Sequence, residues 1–147
     1  MELSGEHTFD APRERVWDFL LDPATLKSCL PGCERLDEIG PDEYEATMKI
    51  GVAAIRGTYQ GRVKIADKVA PEQYTMRIEG KGPAGQISGD GQLRLVDEGG
   101  RTRVEWTGNA NVRGTLARVG ARMMQPAAKM IADQFFNCLE AKAGAGA

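Results

Sequence analysis

Residues 115–142, TLARVGARMMQPAAKMIADQFFNCLEAK, decide the fold that the sequence predicts. Their apolar side chains recur at steps of three and four, which is typical of a helix with one buried face. The apolar residues are Leu116, Val119, Met123, Met130, Ile131, Phe135, Cys138 and Leu139. Methionines make such a face adaptable. A helix of this kind can cover an ordinary core, or it can close a hollow when it lies across a strongly curved sheet.

The residues before this helix alternate between apolar and polar side chains, as antiparallel strands with one buried face do. The first strand is expected at residues 2–9, and two short helices follow it, each opened by a proline and the second ended by Leu30-Pro31-Gly32. Six further strands are expected, at residues 33–39, 44–50, 58–65, 74–80, 87–95 and 103–112. This order predicts an α+β fold with a curved seven-stranded antiparallel sheet. We expect one domain at residues 1–142 and a disordered tail at 143–147.

Five glycines fall on the apolar side of these strands. They are Gly61, Gly80, Gly89, Gly91 and Gly108. Glycine inside a strand often marks a sharp bend or the close approach of another group. The glycines therefore indicate curvature of the sheet, missing volume above its inner face, or both.

Apolar residues that share this face, together with two methionines of the last helix, predict an internal cavity for an apolar ligand. Ligand pockets are mostly apolar and occupy roughly 300–1,000 Å³. The predicted lining residues are Met48, Tyr59, Val63, Met76, Ile78, Ile87, Trp106, Met123 and Met130.

The composition excludes several classes of protein. Hydrophobic residues make up 41% and charged residues 27% of the 147 residues, values typical of a globular domain. The net charge of −2 argues against nucleic-acid binding, which depends on a basic surface. No apolar run approaches the roughly 20 residues that span a bilayer. The polar N-terminus does not resemble a secretory signal, so we expect a cytoplasmic protein.

The sequence shows no catalytic or metal-binding motif. His7 is the one histidine, and it shares a strand face with Leu3 and Phe9. We expect it in the core, although a contact with a bound ligand is the alternative. Cys29, Cys33 and Cys138 have no second pair or nearby histidine to complete a metal site. We predict free thiols, no metal, no disulfide and no cofactor other than a bound ligand.

A run without acidic residues extends over residues 107–132, although it contains several basic ones. Arg118, Arg122 and Lys129 fall on roughly one side of the predicted helix, away from its apolar stripe. Basic residues early in a helix oppose its dipole, so local stability does not explain them. A solvated face is one interpretation; a docking surface for an acidic partner or anionic lipid is the other. Pro126 is expected to kink the helix.

Several segments resemble a known family: EHTFDAPRERVWDFLLDP, LPGCERL, YEATMKIGVAAIRGTYQGRV, GPAGQISGDGQLRL and MIADQFFNCLE. They are similar to the CoxG family of carbon monoxide dehydrogenase clusters, which belongs to the START and polyketide-cyclase-like superfamily. The resemblance covers nearly the whole chain. It implies the helix-grip fold, in which a curved seven-stranded sheet wraps around a long C-terminal helix with a cavity between them.

The resemblance also implies a function. Members accompany molybdenum hydroxylases of the carbon monoxide dehydrogenase kind and are thought to bind a quinone or lipid-like molecule, with a possible peripheral contact at the inner face of the cell membrane. The expectation is thus a non-enzymatic accessory or carrier protein. The first alternative is a cyclase or dehydratase acting on an aromatic or polyketide substrate, for which only His7, Tyr59 and Tyr74 offer inward acid–base groups. The second alternative is an interaction module with a filled core.

Overall fold

The computed structural model describes residues 1–51 and 55–145. Its seven strands are β1 (Glu2–Phe9), β2 (Cys33–Gly40), β3 (Glu43–Ile50), β4 (Gly57–Val69), β5 (Gln73–Gly82), β6 (Gly85–Asp97) and β7 (Thr102–Arg113). Its helices are α1 (Arg13–Leu20), α2 (Pro23–Cys29), a short 3-10 helix (Thr115–Val119) and α3 (Ala121–Ala145).

The strands form one antiparallel sheet in the order β1-β7-β6-β5-β4-β3-β2. The first strand therefore pairs with the last, and α1 and α2 carry the chain from one edge of the sheet to the other. Asp22 caps α2 by accepting a hydrogen bond from the backbone N–H of Thr25 at 3.3 Å, and Pro23 occupies the first turn. The predicted α+β architecture, with seven strands and two short helices, is confirmed.

The inner face of the sheet, which α3 covers, carries the core. Phe9, Val16, Leu20, Val104 and Leu139 are almost fully buried. They belong to a main core in which the three α-helices meet β1 and the strands from β3 to β7. A smaller end cluster forms near the start of α3. Its buried members are Ile55, Tyr59, Leu116, Met124 and Ala127.

The last helix begins later than the sequence predicted. Gly120 adopts φ +78°, which ends the 3-10 helix and separates it from α3. Leu116 and Arg118 therefore lie on a different element from Arg122 and Met123. The predicted apolar stripe does not continue across this break. The sequence placed Met123 on the buried face, but Met124 is the buried methionine at the start of α3 and Met123 is exposed.

The end of the helix also differs from the expected boundary. α3 does not stop at residue 142 but continues to Ala145, and Ala143 is buried. The small Ala143 side chain fits against the main core, which extends the ordered chain into the predicted tail. Residues 146–147 lie outside the described residues.

The prediction of three free thiols is wrong for two of them. The Sγ atoms of Cys29 and Cys138 are bonded, and only Cys33 is free. The paired cysteines lie 109 positions apart in the sequence, with their Cα atoms at 5.4 Å. Spacing alone did not indicate this pair because α2 and α3 meet only through tertiary packing.

Candidate ligand site on the inner face of the sheet

The five inner glycines form one continuous patch across four strands. Gly61 of β4 pairs with Gly80 of β5, and Gly91 of β6 pairs with Gly108 of β7. Gly89 of β6 lies between these pairs, opposite Ile78 of β5. The middle of the inner face is therefore lined largely by backbone. We call these five residues and Ile78 the glycine patch.

Open space lies above part of the glycine patch. A Cβ atom built at Gly80 would meet no described atom within 4 Å. The neighbouring Ile78 is 39% exposed, although its side chain is on the inner face. At Gly61 and Gly108 the nearest atoms to an added Cβ are backbone atoms of adjacent strands. Side chains of the described residues therefore do not fill the space above Gly80, and we call this space the hollow.

Gly89 allows curvature of the sheet rather than free volume above it. A Cβ atom there would lie 2.8 Å from the Asn109 carbonyl oxygen, closer than a real Cβ approaches such an atom. The absence of a side chain thus permits β7 to come close at this point, as in a tightly curved sheet. The glycine patch combines curvature at Gly89 with free volume at Gly80.

The nine predicted lining residues fall into three groups. Met48, Tyr59 and Ile87 meet in the end cluster. Val63, Met76 and Trp106 pack against the main core. Ile78, Met123 and Met130 are exposed, by 39%, 57% and 50%. The nine residues therefore do not belong to one cluster, and a shared cavity lined by all nine stays a prediction.

The two inner-face phenols, those of Tyr59 and Tyr74, are not suited to accept a proton from a ligand. The Tyr59 hydroxyl donates a hydrogen bond to the Ile55 carbonyl oxygen at 2.8 Å. Burial raises the pKa of Tyr59, and it raises the pKa of the more deeply buried Tyr74 much further. Both phenols therefore keep their protons at neutral pH and are poor general bases.

His7 lies at the margin of the core, with its side chain 20% exposed. Its Nε2 is 2.6 Å from Oε2 of Glu140 in α3, and the imidazole N–H donates to the carboxylate. The ring stacks on Phe136, with centroids 5.8 Å apart, and meets the edge of Phe9 at 4.8 Å. The sequence did not identify Glu140 as the partner, although its place four residues after Phe136 puts both on one side of α3.

The predicted docking residues are all exposed, but they do not share one helix. Arg118 lies on the 3-10 helix, Arg122 in the first turn of α3, and Lys129 two turns further along. None of the three forms an ion pair with a carboxylate of residues 1–51 or 55–145. The exposed Met123 and Met130 lie beside them in sequence. A basic surface with apolar side chains thus surrounds the start of α3.

Two grooves on the outer face of the sheet have a different character. One, of ≈ 580 Å³, is lined by charged residues including Glu45, Arg62, Glu79 and Lys81. The other, of ≈ 1100 Å³, is lined by polar side chains such as Lys64 and Arg77, and it also reaches Leu3, Met76 and, on α3, Gln125. Cross-strand ion pairs such as Arg62–Glu45, at 3.0 Å, stabilise this wet surface modestly. Apolar ligands favour apolar clefts, so the inner hollow is the better candidate site.

The structure shows no candidate metal site among the residues it describes. In those residues, no three His, Cys, Asp or Glu side chains lie close enough together to hold a metal ion. Within the same residues, no helix has the length and apolarity that crossing a bilayer requires.

A seven-stranded sheet gripping a C-terminal helix over a partly open inner face defines a START-like helix-grip protein. The family model for the carbon monoxide dehydrogenase component CoxG matches residues 5–144. The chain therefore belongs to the CoxG family, as the resemblance of its segments predicted. No curated protein matches the chain.

Solved structures agree with this fold. A conserved protein from Geobacillus kaustophilus is 30% identical, with a TM-score of 0.95, over 98% of this chain and 95% of that one. A START superfamily protein from Mycobacterium smegmatis is 12% identical, with a TM-score of 0.81, over 99% of each chain. The Zhui aromatase/cyclase from Streptomyces sp. R1128 is 18% identical, with a TM-score of 0.74, over 98% of this chain and 93% of that one.

Proposed function

We propose that this protein is a non-enzymatic carrier that holds an apolar small molecule, a quinone or a lipid-like molecule, in the hollow beneath α3. The observation that carries this proposal is the free space above Gly80, beside the exposed inner-face side chain of Ile78. Water in contact with such apolar surface is replaced favourably by an apolar ligand, at about 25 cal/mol per Å² removed from water.

Membership of the CoxG family supports a role beside a molybdenum hydroxylase of the carbon monoxide dehydrogenase kind. In this proposal the protein brings its ligand to that enzyme and takes no part in the chemistry. The raised pKa values of Tyr59 and Tyr74 support a binding role, because neither phenol is suited to accept a proton. We propose no catalytic residue, no metal and no cofactor other than the carried ligand.

The basic surface at the start of α3 is the proposed docking element, and an anionic membrane at the inner face of the cell membrane is its proposed target. Arg118, Arg122 and Lys129 supply positive charge, while Met123 and Met130 supply exposed apolar side chains. Surfaces of this composition bind at the lipid headgroup boundary. Each basic residue near an anionic membrane contributes about 1 kcal/mol, so three give roughly a hundredfold in affinity. That strength suits a reversible carrier.

Filling the hollow tests the ligand site. Gly80→Val places a side chain in the open space, and Glu79→Val adds the same side chain at the next position, on the outer face. The probe is a short-chain benzoquinone, titrated by quenching of tryptophan fluorescence. We expect Gly80→Val to weaken binding at least tenfold and Glu79→Val to leave it unchanged. Equal binding by a folded Gly80→Val protein would place the ligand elsewhere.

Mass spectrometry of an organic extract of the purified protein would identify a native ligand.

Charge reversal tests the docking surface. Arg118→Glu with Arg122→Glu should abolish co-sedimentation with vesicles of phosphatidylcholine and phosphatidylglycerol. The matched control, Lys64→Glu with Lys81→Glu, makes the same change in net charge on the outer face and should still sediment. If both double variants sediment like the wild type at low salt, α3 is not the docking element. Loss of binding to the molybdenum hydroxylase alone would assign this surface to that enzyme instead.

The second candidate is a cyclase or dehydratase acting on an aromatic or polyketide substrate in the same hollow. The aromatase/cyclase among the structural neighbours favours it, although at 18% identity that likeness concerns the fold. Conversion of a polyketide substrate that Tyr59→Phe abolishes would favour the enzyme over the carrier.

A further inference from the structure

A single covalent bond joins α3 to the small helices that follow β1. Cys29 is the last residue of α2 and is buried, and it is bonded to Cys138 in the last third of α3. On its other side α3 is held to β1 by hydrogen bonds. Glu140 accepts from His7 at 2.6 Å, and the Gln125 side chain donates to the Glu2 carbonyl oxygen at 3.0 Å. The disulfide is therefore the α2-side attachment of the helix that covers the hollow.

Cys29 borders a surface groove, although the residue itself is only 4% exposed. The groove, of ≈ 500 Å³, is lined by Ala24 and by the residues from Lys27 to Cys33. The turn at its edge is held firmly, since Lys49 donates its backbone N–H to the Gly32 carbonyl oxygen at 2.7 Å. A thiol in this groove would lie beside the Cys29 end of the disulfide, and its attack on Sγ requires a local opening at the end of α2 rather than a rearrangement of the sheet.

Cys33, the free thiol at the same groove, competes poorly with an external thiol. Burial raises the pKa of Cys33, with the nearby Lys27 opposing that shift only in part. Because the thiolate is the nucleophile in disulfide exchange, Cys33 attacks slowly at neutral pH. Cys33 is therefore a weaker competitor for the disulfide than a thiol with an ordinary pKa.

We propose that the Cys29–Cys138 bond is a redox-dependent clamp on α3, opened by a dithiol reductant that enters through this groove. One thiolate of the reductant attacks Sγ of Cys29, and Cys138 leaves as a thiolate that takes up a proton. The second thiol of the reductant then displaces Cys29, so two electrons and two protons pass to the cysteines and the reductant becomes a disulfide. In thiol-reducing compartments, disulfides that do form are usually transient or redox-sensing.

The consequence concerns the ligand, and it rests on the proposed carrier function. With the clamp closed, α3 is fixed to both α2 and β1 and covers the glycine patch. With the clamp open, α3 is still held by its hydrogen bonds to β1 and by the packing of Phe136 and Leu139 in the main core, but its covalent link to α2 is lost. Excursions of its α2 side away from the inner face therefore become more frequent. Ligand exchange is therefore slow in the oxidised protein and fast in the reduced protein.

Hydrogen exchange measured by mass spectrometry tests the clamp on the full chain, before and after treatment with dithiothreitol. We expect reduction to raise exchange at least tenfold in α2 and in the part of α3 around Cys138. After dithiothreitol has been removed under nitrogen, so that it cannot reduce the quinone, release of the short-chain benzoquinone should be accelerated by a similar factor. Oxidised Cys138→Ser should behave like the reduced wild type, whereas Cys33→Ser should respond to dithiothreitol as the wild type does.

Four outcomes separate the possibilities. Three free thiols in protein purified without reductant would overturn the clamp, as would identical hydrogen exchange in the two states. Benzoquinone binding with equal release rates in both states would overturn the clamp and leave the carrier function standing. If benzoquinone does not bind in either state, the carrier proposal fails, and a tenfold change in hydrogen exchange would still support a redox-dependent clamp.

Discussion

His7 Nε2 lies 2.6 Å from Glu140 Oε2, which joins the first strand to the last helix across 133 positions of sequence. The pair sits at the margin of the core, because the Glu140 side chain is 44% exposed. Beneath it, Phe136 is buried against both His7 and Phe9. The aromatic packing and the His7–Glu140 hydrogen bond hold the same two elements together, and we expect them to contribute different amounts to stability.

Truncation of each partner separates the two contributions. Phe136→Ala should lower the free energy of unfolding by about 3–5 kcal/mol, because it leaves a cavity between β1 and α3. Glu140→Ala should cost less than about 1 kcal/mol, since the Glu140 carboxylate is partly exposed and water replaces much of the lost hydrogen bond. Urea denaturation followed by circular dichroism measures both. A larger loss for Glu140→Ala than for Phe136→Ala would show that the hydrogen bond dominates this junction.

Two adjacent methionines test the phase of α3. Met124 is buried in the end cluster, whereas Met123 is 57% exposed. Met124→Ala should lower the free energy of unfolding by about 2–5 kcal/mol, and Met123→Ala should change it by less than about 0.5 kcal/mol. Thermal unfolding of the two variants provides the comparison. The opposite order would support the helix phase that the sequence predicted.

Gly32 is required by its turn. It has φ +78°, and an added Cβ would lie 2.1 Å from the Lys49 carbonyl oxygen. Gly32→Ala should therefore lower the free energy of unfolding by several kcal/mol, with about 1–3 kcal/mol from the backbone conformation alone and the remainder from the clash. Gly99→Ala is the matched control, because Gly99 has φ +72° but an added Cβ there meets no described atom. Equal losses for the two variants would remove the clash from this explanation.

Tyr74 should make stability fall at alkaline pH. Burial raises its pKa above the ordinary value of 10.0, so the unfolded chain releases this proton first as the pH rises. The contribution is fully present below pH 10 and is lost above it, at up to about 1.4 kcal/mol per pH unit. Tyr74→Phe should flatten the fall in melting temperature between about pH 10 and 12. An unchanged slope would mean that other groups cause the alkaline loss.

The sequence predicted the sheet well because alternation is a local property. Side chains such as Ile78 and Leu93 occupy the expected face, since neighbouring residues of a strand always point to opposite sides. The glycine patch was also visible in this alternation. Its division between curvature at Gly89 and free space at Gly80 was not, because that depends on how closely β7 and α3 approach each position.

Prediction failed where distant elements meet. The helical period did not reveal that Gly120 divides the last segment, because one residue with a positive φ resets the phase of every side chain before it. The spacing of the cysteines favoured no pairing, since Cys29 and Cys138 approach only after α3 packs on α2. Glu140 gave no signal as the partner of His7 for the same reason.

The sequence by itself determined the seven strands, the two short helices, the long C-terminal helix, the apolar inner face and the family. Alternation, helical period and turn residues act within a few positions of one another, so they can be read along the chain. Only the tertiary structure decided the disulfide, the His7–Glu140 contact, the burial of Met124 and the hollow above Gly80. Each of these depends on distances between residues far apart in the sequence, which packing of the last helix on the sheet establishes.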